Sequence, residues 1–134
     1  MSIKKAEAHL EAMVANISRL EAVMAKVTAA DLETMRVNPE HRLPDELRSQ
    51  MIYYVSVIAE GARNIIGTPS EPGLAPDWFT GDVAIACKLL IGLRNIMLHG
   101  YAASADDRQF WSGINGPSYQ TVRAAVMRLA QQYL

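Results

Sequence analysis

The chain has 134 residues, half of them hydrophobic and one fifth charged, with a formal net charge of −1. That length and composition predict one globular domain over 1–134 with a real hydrophobic core. The near-neutral balance excludes a global basic field that would gather nucleic acid, and leaves only local clusters to bind phosphate.

Ile3, Ala6, Leu10, Met13, Ile17, Leu20, Met24 and Val27 alternate three and four apart. This is the seam of one long amphipathic helix, with Ser2 as its cap and an end near Thr28. Lys4 and Lys5 are followed by Glu7 and Glu11. The N-terminus therefore lacks the apolar core of a signal peptide, and no run is long enough to span a membrane. A reducing, cytoplasmic setting is expected. A short helical turn follows, because Thr28 and Asp31 fit a capping pattern before Leu32 and Met35. Asn38, Pro39 and Pro44 then break the pattern.

Pro44, Asp45 and Glu46 suit the start of a second long helix. Its buried positions are expected to be Leu47, Met51, Tyr54, Val55, Ile58, Ala62 and Ile65, and Gly67 is a natural stop. The stretch 67–77 is rich in Pro and Gly and reads as a loop. Thr80 can cap a third long helix that carries Asp82 in its first turn. From Val83 to Leu98 this helix is apolar on nearly every face, with Ile85, Leu89 and Ile96 on one side and Val83, Cys87, Leu90 and Met97 on another. Such a helix is either central to the bundle or half of a subunit interface. Cys87 stands alone, so it forms no intramolecular disulfide and reads as a small core residue. After Tyr101, Ser104 can cap a brief helix containing Asp106, Phe110 and Trp111. Ser118 can cap the last helix, with Val122, Val126, Leu129 and Tyr133 on one face. No β-alternation of useful length and no repeat is present. The expected fold is all-α, a four- to five-helix up-and-down bundle.

Polar chemistry gathers where the third helix ends, at Arg94, Asn95, His99, Gly100 and Tyr101. A guanidinium keeps its charge, so within an apolar helix it needs a partner or an aqueous cleft. Asn95 and His99 are four apart and share a face, so the amide can orient the imidazole. His99 lies where a helix C-terminus favours positive charge. A His that gains and loses a proton beside a fixed cation can cleave phosphodiesters: the His acts as acid or base and the Arg stabilises charge on the phosphoryl group. On residue chemistry alone, a salt-bridged Arg and a helix-terminal His explain the same pattern.

The pattern R-N-x-x-x-H-x-Y after a buried apolar helix (Arg94, Asn95, His99 and Tyr101) resembles the HEPN superfamily, and within it the HepT-like toxin branch. Ile58-Ala59-Glu60-Gly61-Ala62 is similar to the family's I-G-E-A block. Asp106 to Trp111 is similar to the D-then-W element after the motif. The first helix matches only in type. Trp78, 16 residues before Arg94, stands further from the motif than the Trp of many members. The resemblance implies a HEPN-like bundle that dimerises through the motif helix and brings two Arg/His pairs into one cleft. It implies a metal-independent endoribonuclease that leaves a 2′,3′-cyclic phosphate, with Arg94 and His99 catalytic and no cofactor. It also implies a toxin of a toxin–antitoxin pair, restrained by a nucleotidyltransferase antitoxin that transfers AMP onto Tyr101. A phosphate added there would repel RNA from the cleft.

Other residues are open to two accounts. Glu60 either orients Arg94 or His99, or pairs with Arg63 three residues on. Asp106 and Arg108 either border the cleft or are surface charge. Trp111 reads as a packing anchor. His9 and His41 have no ligand spacing and suggest no metal site. Gly61 and Gly67 stand singly, so no Gly-rich phosphate loop is expected. The alternative to the ribonuclease is a non-catalytic HEPN module that scaffolds a nucleotidyltransferase. A histidine phosphotransfer bundle ranks last, because His99 sits beside a terminating Gly rather than in mid-helix.

Overall fold

Ala6, Leu10, Met13, Ile17 and Leu20 are all fully buried, and the helix that presents them, α1, runs Ile3–Met24. The computed structural model describes residues 3–38, 40–67, 73, 77–98 and 107–134. The stripe expected from the spacing is the inner face of α1 from Ala6 to Leu20; Met24 is half-buried, Val27 lies beyond the helix, and the helix stops earlier than Thr28. The amides of Lys26 and Val27 bond back three residues, to the carbonyls of Val23 and Met24 at 2.9 and 3.1 Å. This tightens the chain out of α geometry. Thr28 instead caps α2 (Ala29–Val37): its Oγ1 accepts from the Asp31 amide at 3.1 Å and donates to the Asp31 carboxylate at 2.9 Å.

Helix α3 (Asp45–Ile66) follows Pro44, carries Asp45 and Glu46 in its first turn, and ends at Gly67. Gly67 has φ 79°, a conformation that favours glycine, and its amide bonds to the Arg63 carbonyl at 2.8 Å. Leu47 and Tyr54 are half-buried rather than buried, while Ile52 and Ala59 join the core. Helix α4 (Gly81–Leu98) begins with amides bonding to the Thr80 carbonyl and has Asp82 in its first turn. The short α5 (Asp107–Ile114) buries Asp107, Phe110 and Ile114. The last helix, α6 (Pro117–Tyr133), begins earlier than Ser118: Gly116 is the cap residue and Pro117 takes the first helical position, where its missing amide costs nothing. Ser2, Gly100, Ser104 and Asp106, each given an expected place above, lie outside the described residues.

Four long helices build the bundle. Helix α1 packs on α3, α3 on α4, α4 on α6, and α6 closes on α1; α5 fits against α4 and α6, and α2 touches α5. Gly61 lets α1 and α3 approach closely, since a Cβ there would lie 2.6 Å from Met13 Cγ. At the other end of α1, Glu21 holds α6. Its carboxylate accepts from Arg123 Nε at 2.6 Å, Arg123 Nη2 at 3.1 Å and the Tyr119 hydroxyl at 2.8 Å. Cys87 is fully buried, and burial pushes its thiol up to about 12, so it packs as a small apolar residue. Trp78 stacks on Tyr133 with ring centroids 4.8 Å apart, which pins the approach to α4 against the end of α6. No helix among the described residues is long and apolar enough to cross a membrane.

Candidate functional site

Arg94 stands in the C-terminal third of α4, opposite the C-terminal third of α3. Its side chain is 17% exposed, and Nη2 donates to Glu60 Oε2 at 3.3 Å. The other carboxylate oxygen of Glu60 faces Arg63 Nη1 at 3.6 Å. Glu60 therefore has two partners: one oxygen meets the guanidinium of α4 and the other meets the neighbour on its own helix. Glu60 does not point into the core. Its side chain is about half exposed and marks the rim of a cavity.

That cavity has a volume of about 310 Å³ and lies where three helices meet. His9 and Ala12 of α1, Ser56, Glu60 and Gly61 of α3, and Arg94 of α4 line it. The missing side chain of Gly61 brings α1 near enough for His9 to take part. Arg94 Nε is buried and has no acceptor among the described residues. A buried charged donor without an acceptor is costly, and Nε has no surface of its own open to the cavity; what the side chain offers there is its 17% exposed part. Ser56 donates its hydroxyl to the Ile52 carbonyl at 2.7 Å and offers the cavity only lone pairs.

Asn95 is half-buried beside Arg94 on α4. His99 and Tyr101 lie outside the described residues, as does Asp106. Arg108 is exposed and lines a separate groove of about 990 Å³ between α4, α5 and α6. Leu89, Gly92 and Ile96 form one wall of this groove, and Lys88 adds a second cation. Ile85, Leu89 and Ile96 are 59%, 58% and 40% exposed, so the side of α4 turned away from the bundle is an apolar seam open to solvent. Gly92 belongs to the same seam, and a Cβ there would meet nothing within 4 Å.

Two residues of consequence were not singled out by sequence pattern. His9 was set aside for want of a metal-ligand spacing, yet it shares the Arg94 cavity. Its only signal is Gly61, which marks the helix–helix contact bringing it in. Asp107 is fully buried and accepts from the Leu43 amide at 2.8 Å, Arg48 Nε at 2.7 Å and Arg42 Nη1 at 3.2 Å. It ties the chain ahead of α3 to the first residue of α5. No protein-family model, curated protein or solved structure matches this chain.

Proposed function

We propose that the protein is a metal-independent endoribonuclease of the HEPN type, in which Arg94 and His99 carry the chemistry. The observation that supports this most is the Arg94 guanidinium, held at a cavity by one oxygen of Glu60 and still partly exposed. A fixed cation at the edge of an open cavity suits an oxyanion, and a phosphodiester supplies one. The reaction uses the substrate's own 2′-hydroxyl. His99 as base takes its proton, the 2′-oxygen bonds to phosphorus, and the bond from phosphorus to the 5′-oxygen breaks. A protonated His99, of the same or a second copy, gives a proton to the leaving 5′-oxygen. Arg94 offsets the charge that gathers on the non-bridging oxygens. Glu60 and Asn95 are positioning residues, for Arg94 and His99 respectively.

The exposed seam of α4 is the surface through which two copies pair, while each Arg94 stays on the opposite side of α4, against Glu60 of its own α3. Control is exerted at Tyr101, by AMP transfer from a nucleotidyltransferase antitoxin. Purified protein should cleave single-stranded RNA in the presence of a chelator and leave 2′,3′-cyclic ends. Arg94→Ala and His99→Ala should each lower the rate by about 100-fold or more, as loss of an acid–base or charge-stabilising group does. If wild type leaves RNA intact and its expression is harmless, the nuclease reading falls. The non-catalytic module that scaffolds a nucleotidyltransferase is then the reading that stands. Mass analysis after coexpression with a nucleotidyltransferase tests Tyr101; an unmodified Tyr101 rejects that part.

A further inference from the structure

The cavity at Arg94 holds more than one contact requires. At about 310 Å³ it has room for about ten waters at roughly 30 Å³ each, enough for a phosphate group and part of its sugar. Its charge is favourable to an anion. Glu60 is shared between Arg94 and Arg63, so these three groups sum to +1 (two cations and one carboxylate). His9 adds an imidazole, which donates an N–H in either protonation state.

An aromatic platform stands on the same line of α3. Tyr53 and Glu60 are seven residues apart, so they share a face two turns apart, about 10 Å along the axis. Tyr53 is 62% exposed, among the most exposed of the large hydrophobic side chains. Its ring meets Tyr54 edge-on, with centroids 5.6 Å apart and planes at 68°, which steadies it without covering it by stacking. An exposed ring two helical turns along α3 from the partner of a phosphate-gripping cation offers the combination that single-stranded nucleic acid needs: a charged contact for the backbone and a flat surface for a base.

We propose that the cavity is a phosphate-binding subsite for a single RNA strand, in which His9 and Arg94 hold one phosphate and Tyr53 stacks a neighbouring base. The identity of the strand rests on the ribonuclease reading; the subsite itself does not need cleavage. The test uses the full chain carrying His99→Ala, so that the strand is not cut. Inorganic phosphate should shift the His9 ring resonances in NMR titrations. A fluorescent oligouridylate should bind, with His9→Ala and Tyr53→Ala each weakening it by about fivefold to a hundredfold, the range of one stacked base or one lost phosphate contact. Glu60→Gln keeps an amide oxygen to accept from Arg94 and so to position it, but removes the opposing charge, and should tighten phosphate binding, a gain that misfolding does not produce. The subsite is overturned if phosphate leaves His9 unmoved, if His9→Ala and Tyr53→Ala bind as the parent does, or if Glu60→Gln weakens binding. The two readings fail separately. A wild-type chain that binds through His9 without cutting upholds the subsite and removes only the nuclease. One that cuts with KM unchanged by His9→Ala removes only the subsite.

Discussion

Asp107 is a carboxylate with no exposed surface, held by one backbone amide and two arginines. Burying that charge is tolerable because its oxygens accept charge-assisted bonds and because it opens a helix, where the free amides favour an anion. Asp107→Ala leaves Arg48 and the Leu43 amide facing an empty site, and should cost about 3–5 kcal/mol, read as a fall in denaturant midpoint. An Asp107→Ala protein as stable as wild type would show that the staple contributes nothing. The sequence pattern singled out Asp106 instead. Two adjacent aspartates before an amphipathic octet fit a first helical turn equally well. Arg42 and Arg48, which single out Asp107, lie 65 and 59 positions away in the chain. Arg94 was easier to recognise, because a cation among Leu, Ile and Met announces its need for a partner. Glu60 as that partner was one of two options, and the structure uses both.

At the scale of elements, α1 and α6 are joined by a polar clamp as well as by apolar contacts. The Arg123 guanidinium holds the Glu21 carboxyl below the usual carboxylate range; burial opposes this, and the Tyr119 hydroxyl assists Arg123. Burial, with Glu21 beside it, pushes the Tyr119 phenol well above its ordinary value, in keeping with a hydroxyl that donates to the Glu21 carboxylate. A carboxyl lowered in the folded state contributes stability above its unfolded value, near 4.5, and that contribution is lost as pH falls through the folded value. Glu21→Gln should therefore have a lower Tm than wild type at neutral pH, with the gap closing as pH drops below about 4.5. A gap that stays constant through acid titration would assign the clamp to packing alone. The helices themselves were legible from spacing and caps. Their ends were less so. The end of α1 depended on a tightened last turn, and the start of α6 on whether Pro117 or Ser118 set the first helical residue.

At the scale of the whole molecule, α4 is covered on two sides and open on a third. It packs on α3 and α6 while Ile85, Leu89 and Ile96 remain exposed in line. Pairing of two copies along this seam would bury those residues, and Gly92 in the middle would permit close helix approach. Leu89→Glu should leave the monomer folded, because Leu89 is already 58% exposed, and should abolish the dimer in sedimentation equilibrium. Wild-type protein that sediments as a monomer throughout the assay range would remove the dimer from the proposal.

By itself the sequence determined the helical class, the four long helices and most of their inward faces, because these depend on spacing within single segments of chain. It also marked Arg94 as a residue in need of a partner, since the cost of a buried charge depends on composition nearby. Only the tertiary structure decided which distant groups answer to one another. The approach of α1 to α3 over Gly61 brought His9 to Arg94. The packing of α4 on α3 brought Arg94 to Glu60, the placing of α5 brought Asp107 to Arg42 and Arg48, and the apolar seam of α4 was left uncovered. Those outcomes follow from how helices pack, and helix packing joins residues that no local periodicity relates.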